Sequence, residues 1–96
     1  MPAYLIIQTL EIMEPETYRE YAVKARPLIE SLGGRYLLAS DRITVLSGDV
    51  TPLRALVIEF ATKEALEACF ASPAYKAIAP LRERSVVSRA FIAESG

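Results

Sequence analysis

The chain has 96 residues, 52% of them hydrophobic and 24% charged, with a formal net charge of −1 and a pI near 5.4. That is enough for a single domain, expected to occupy residues 1–96, and too balanced in charge to favour nucleic acid or an anionic membrane. There is no histidine and no tryptophan, which excludes imidazole-built zinc sites, histidine-ligated haem and every Ser-His or Cys-His nucleophile pair.

Cys69 is the only cysteine, so no internal disulfide forms and a reducing cytoplasm is the expected location. The N-terminal apolar segment has no basic lead and runs at once into Glu11, Glu14 and Glu16, unlike a secretory signal. No apolar run approaches the ~20 residues of a bilayer span. The apolar share is high for so small a body, which suggests that one face is buried against another chain.

Ala3 to Ile12 reads as the first strand, with Tyr4, Ile6, Leu10 and Ile12 on one side and Ala3, Leu5 and Ile7 on the other. Both sides are mostly apolar, as in an interior strand. Glu14-Pro15 opens a helix, because proline suits the first helical position. Tyr18, Tyr21, Ala22, Ala25, Leu28, Ile29 and Leu32 then follow the 3–4 spacing of one buried stripe. Pro27 interrupts that stripe and predicts a kink or break near Ala25. Gly33-Gly34 ends the helix, one of the pair supplying a left-handed cap.

Arg35 to Ser40 and Ile43 to Ser47 are expected to be extended, with a bend or bulge at Ser40-Asp41-Arg42. Leu53 to Phe60 (L-R-A-L-V-I-E-F) is the strand around which the chain is organised: apolar on both faces and interrupted by the carboxylate of Glu59. Its bulkier side, carrying Arg54, Leu56, Ile58 and Phe60, is expected to meet the helices. Thr62 is an N-cap for the next helix, and Ser72-Pro73 restarts helix after it. The final strand is expected at Ser85 to Ala93, with Arg89 sharing a face with Val87, Phe91 and Ala93.

The order β-α-β-β-α-β points to an α+β ferredoxin-like sandwich, a four-stranded antiparallel sheet with helices on one face. In that arrangement the first and third strands are central, which suits the two strands that are apolar on both sides. Helices cover only one face of the sheet. The other requires a partner, and a second copy related by a two-fold axis is the simplest, the two sheets enclosing a barrel-like core.

Leu32 to Leu37 (L-G-G-R-Y-L), Ser47-Gly48-Asp49, Arg54 with Val57-Ile58-Glu59-Phe60, and Ser72-Pro73-Ala74-Tyr75 occur in the order and spacing of one family. By these residues the chain resembles the domain of unknown function 1330 family (DUF1330) within the dimeric α/β-barrel superfamily, from Ala3 to about Arg89. The resemblance implies the fold and a homodimer, but no reaction, because the family has no agreed activity. Related superfamily members include cofactor-free monooxygenases acting on phenolic polyketides, lactone isomerases and haem-degrading enzymes, and the absence of histidine argues against the last. One departure is Glu14, where an aspartate usually precedes the proline.

Among candidate chemical groups, Glu59 stands out, since a carboxylate on a central strand is costly unless paired, and burial would tune it toward a general base. The plainer alternative is that it pairs with an arginine or caps the next helix. Arg35, Arg54, Arg82 and Arg89 are possible partners, and arginines gathered at one end of a small sheet could hold a carboxylate or enolate bidentately. Tyr18, Tyr21, Tyr36 and Tyr75 could line an aromatic pocket, although aromatic residues on helix stripes are usually core. Cys69 reads as a small buried hydrophobe.

The expectation is therefore a cytoplasmic homodimer without cofactor or metal. It would bind a small phenolic or acid-like metabolite, or convert it by proton transfer or cofactor-free oxidation, with Glu59 as base and Arg54 or Arg89 stabilising negative charge. The alternative is a non-enzymatic ligand-binding or interaction dimer.

Overall fold

Two strands that are apolar on both sides belong in the middle of a sheet, and that is where they lie. A computed structural model describes residues Met1–Gly96, in the order β1 (Ala3–Ile12), α1 (Pro15–Ser31), β2 (Arg35–Ser40), β3 (Arg54–Phe60), α2 (Lys63–Ala71), α3 (Pro73–Ser85) and β4 (Val86–Glu94). The strands form one sheet in the order β2-β3-β1-β4, and every neighbouring pair is antiparallel. Each β-α-β half crosses over one strand of the other half, and the helices all cover the same face. This is the ferredoxin-like α+β fold.

Local chemistry sets the helix boundaries. The Thr62 hydroxyl accepts from the Ala65 N–H at 3.1 Å and starts α2. Ser72 ends α2 and begins α3: its hydroxyl donates to the Cys69 carbonyl at 2.6 Å and accepts from the Tyr75 N–H at 3.2 Å. With Pro73 at the first helical position, the second crossover is two helices rather than one. Of the kink or break expected near Ala25, the break is absent, since α1 runs continuously through Pro27. Pro27 and Val23, whose carbonyl loses its intrahelical donor, both lie on the exposed side of α1, so the lost bond falls away from the core.

The two glycines after α1 serve different ends. Gly33 adopts φ of +101° and supplies the left-handed cap. Gly34 is buried and there for its size: a Cβ would meet Ile29 Cγ2 at 2.5 Å and Phe60 Cζ at 3.0 Å. Ile29 and Phe60 belong to the core between sheet and helices, with Ala3, Leu5 and Ile58 from the central strands and Ala25, Leu66, Cys69 and Tyr75 from the helices. Burying a side chain of the size of Ile29 or Phe60 contributes roughly 1.5–3 kcal/mol.

Ile43–Ser47 is not a strand. Ser40 pairs with Ala55, one residue from the start of β3 at Arg54, so the chain beyond Ser40 has no neighbour to pair with. It leaves the sheet as a loop in which Leu46 is 95% exposed.

The molecule measures only 16 Å along its shortest axis, the thickness of one sheet and one helix layer. The second sheet face is therefore open. It carries Tyr4, Ile6, Leu38, Val57, Val87 and Phe91 by register, and Phe91, Leu38 and Val87 are 54%, 46% and 40% exposed. An antiparallel sheet that faces water normally alternates to polar residues on that side. This one is mixed, with these apolar side chains set among Gln8, Arg35, Glu59 and Arg89. No helix is long and apolar enough to cross a membrane.

Candidate functional site

Side chains alternate along β3, so Arg54, Leu56, Ile58 and Phe60 project to the helix-covered face, while Ala55, Val57 and Glu59 project to the open one. The burial of Ile58 and Phe60, each 1% exposed, bears out the assignment of the bulkier side to the helices. It also separates the candidate residues into two groups.

Arg35 and Glu59 are cross-strand partners on the open face. They form a loose ion pair of 3.9 Å in which Arg35 is 78% exposed. Glu59 also faces Tyr4 across the β1–β3 pair and raises the Tyr4 phenol above the usual tyrosine range, as a hydrogen-bond acceptor first and also through its charge. Arg89 pairs with Gln8 on that same face and lines a shallow concavity walled by the loop from Ile43 to Val50 and by Pro52. A base at Glu59 acting with Arg54 in one pocket is therefore corrected: the sheet itself stands between them.

The helix-covered face holds a cavity of about 260 Å³. Its floor is Ile7, Thr9, Leu56 and Ile58 of the central strands, with Tyr36, Arg54, Val86 and Ser88 around them. Its roof comes from α1, α2 and α3, including Tyr18, Tyr21, Phe70, Tyr75 and Arg82. Six of the nine sequence candidates thus meet here: Tyr18, Tyr21, Tyr36, Tyr75, Arg54 and Arg82. Of 19 lining residues 13 are hydrophobic, four are arginines, and none is an aspartate or glutamate.

The tyrosines form a connected layer. The Tyr21 and Tyr75 hydroxyls are hydrogen-bonded at 2.7 Å, with the rings edge-on at 84°. Tyr18 stacks near-parallel on Tyr21, and Phe70 meets Tyr75 edge-on with centroids 4.7 Å apart. Desolvation first, and then the hydrogen bond to Tyr75, raises Tyr21 far above the usual tyrosine range. Tyr36 is pushed up to about 12, chiefly by burial, against the opposing pull of the Arg26 charge. The Arg26 guanidinium lies 4.6 Å from the centre of the Tyr36 ring, a cation–π contact. These phenols stay protonated at neutral pH and act as hydrogen-bonding groups.

The arginines are unevenly satisfied. Arg26 has Glu30 at 3.6 Å, whereas Arg19, Arg54 and Arg82 have no carboxylate within ion-pair distance. The Arg54 Nε is buried and has no hydrogen-bond partner in the protein. Thr9, 1% exposed, and Ser88 accompany it, and sequence reasoning missed both. The signal for Thr9 was its parity, a polar residue on the side of β1 otherwise filled by Ala3, Leu5 and Ile7. Cys69 is buried, and desolvation raises its thiol above the usual range, the environment of an inert structural cysteine.

Comparison with known proteins places this architecture. A family model described as "Domain of unknown function (DUF1330)" matches residues 2–95. A protein of unknown function from Rhodopseudomonas palustris is 20% identical with a TM-score of 0.81, over 99% of this chain and 82% of that one. A dimeric ferredoxin-like protein of unknown function from Jannaschia sp. CCS1 is 15% identical with a TM-score of 0.75, covering 99% of this chain and 100% of the other. SnoaB from Streptomyces nogalater, a cofactor-independent oxygenase, is 12% identical with a TM-score of 0.70, over 99% and 92% of the two chains. At these identities the likeness is one of fold. No curated protein sequence matches the chain.

Proposed function

The chain belongs to the DUF1330 family, and from that premise we propose that it works as a homodimer, sheet against sheet, in which each protomer holds one small phenolic or acid-like molecule between its sheet and its helices. The observation that carries the ligand reading is the cavity lining, with tyrosines and arginines set in an otherwise apolar wall and no acidic residue. Ligand pockets combine an apolar body with a few placed polar groups in this way. A cavity of roughly 150 Å³ is enough for benzene, so 260 Å³ accommodates a ring with substituents. The dimer reading is supported by the exposed apolar side chains of the open face and by the dimeric neighbour of the same fold.

Conversion of the ligand, by proton transfer or cofactor-free oxidation, would depend on arginine stabilising negative charge that develops on the substrate. Binding without turnover is the second reading. It is favoured by the absence of any histidine, aspartate or glutamate from the cavity lining, which leaves no side chain there that accepts a proton readily at neutral pH. A ligand that binds only the folded state raises the melting temperature by mass action. A thermal-shift panel of aromatic acids, lactones and quinols is expected to yield at least one stabilising compound, and turnover of that compound then separates the two readings. If no compound stabilises the protein, ligand binding in the cavity is refuted.

A further inference from the structure

We infer that the ligand of this cavity is a monocarboxylate, with its head group held against the sheet by Arg54, Thr9 and Ser88 and its apolar body lying toward Tyr21 and Tyr75. The inference rests on reading the cavity as a small-molecule site and deepens it.

The argument begins in the strand register. Thr9 pairs with Arg54 across β1 and β3 and with Ser88 across β1 and β4. Directly opposed residues share a face of a sheet. The three therefore form one polar row across three strands, running from half-buried Arg54 through buried Thr9 to exposed Ser88 on the face that packs against the helices, and all three line the cavity. The Leu53 N–H donates to the Thr9 carbonyl at 2.7 Å and ties the start of β3 to this row.

Charge then selects the ligand. Arg54 is always cationic, and its Nε is buried without a protein partner. No acid lines the cavity and the half-buried Arg54 has no carboxylate within ion-pair distance, so an anionic ligand supplies the charge partner that the protein does not. A neutral phenol cannot supply it. A carboxylate can, because its two oxygens match the planar guanidinium fork and leave lone pairs for the neighbouring hydroxyls. The mostly apolar remainder of the wall would desolvate a second charge without a partner, which disfavours a dianion.

The test uses the full chain and matched probes: 4-hydroxybenzoate against 4-hydroxybenzyl alcohol, and 2-naphthoate against 2-naphthylmethanol. Affinities and arginine Nε–Hε resonances are followed by NMR titration, with Arg54→Met identifying the Arg54 signal. The acids are expected to bind about tenfold more tightly than the alcohols, the size of a charge-assisted hydrogen bond, and to shift the Arg54 resonance. Arg54→Met is expected to lower acid affinity about tenfold and close the gap between acid and alcohol. Equal binding of acid and alcohol, or an undiminished preference for acid in Arg54→Met, overturns the carboxylate assignment while leaving the cavity a ligand site. If neither class binds up to its solubility limit, the cavity reading falls and takes this inference with it. Should Arg54→Met fail to fold, the comparison of acid with alcohol on the unsubstituted protein decides alone.

Discussion

The hydroxyls of Tyr21 and Tyr75 lie 2.7 Å apart, joining α1 to α3 across 54 residues of sequence at the roof of the cavity. Tyr75 is only 3% exposed and Tyr21 is half-buried, so the Tyr75 hydroxyl in particular cannot readily exchange this partner for bulk water. Tyr21→Phe and Tyr75→Phe should each cost about 1–2 kcal/mol, because each strands the hydroxyl left behind. The double substitution should cost clearly less than the sum of the two. Urea denaturation of the four proteins gives the coupling directly, and strictly additive losses would show that the bond contributes nothing.

Tyr21, Tyr36 and Tyr4 all have pKa values raised above 10.0 in the folded protein, against about 10 in an unfolded chain. Above pH ~10 the unfolded chain gives up phenolic protons that the folded one retains, so ν_U falls below ν_N and stability declines as pH rises. The contribution is fully present below pH ~10. For Tyr36 it is lost between there and about 12. Melting temperatures should therefore be insensitive to phenol ionisation at pH 9 and fall steadily beyond pH ~10. Tyr36→Phe should flatten part of that fall.

Glu59 lies across the sheet from the cavity, in a 3.9 Å pair with a largely exposed Arg35. Exposed pairs of this kind contribute at most ~1 kcal/mol. Glu59→Gln is expected to change stability by no more than that and to leave 4-hydroxybenzoate affinity unaltered in an NMR titration. A severalfold loss of affinity would return Glu59 to the site.

Gly34→Ala is expected to destabilise by about 1–3 kcal/mol, since its Cβ would press on Ile29 and Phe60 in the centre of the core. Gly33→Ala meets nothing within 4 Å and should cost only the ~1 kcal/mol of a left-handed residue with a Cβ. Chemical denaturation ranks the two, and the reverse order would contradict the packing described above.

Phe91 is 54% exposed on the open sheet face, so a charge there is tolerated by an isolated protomer but not by two apposed sheets. Phe91→Glu should retain the circular dichroism of the parent protein and shift the mass measured by light scattering from dimer to monomer. An unsubstituted protein that is already monomeric at micromolar concentration would refute the sheet-to-sheet assembly.

The amino-acid sequence by itself determined the order of elements, the central position of β1 and β3, the caps at Thr62 and Ser72 and the left-handed glycine after α1. Each follows from local chemistry or from alternation along one segment. The same local signals overstated Ile43–Ser47, whose residues favour a strand although no neighbouring strand extends far enough to pair with them, and the break at Pro27, through which α1 runs continuously. Only the tertiary structure decided which side chains share a cavity. Parity along β3 already set Arg54 and Glu59 on opposite faces, but the row of Arg54, Thr9 and Ser88 depends on the register of three strands brought together from distant parts of the chain. The buried Arg54 Nε and the lack of any acid around it are properties of that enclosure, and no single stretch of sequence contains them.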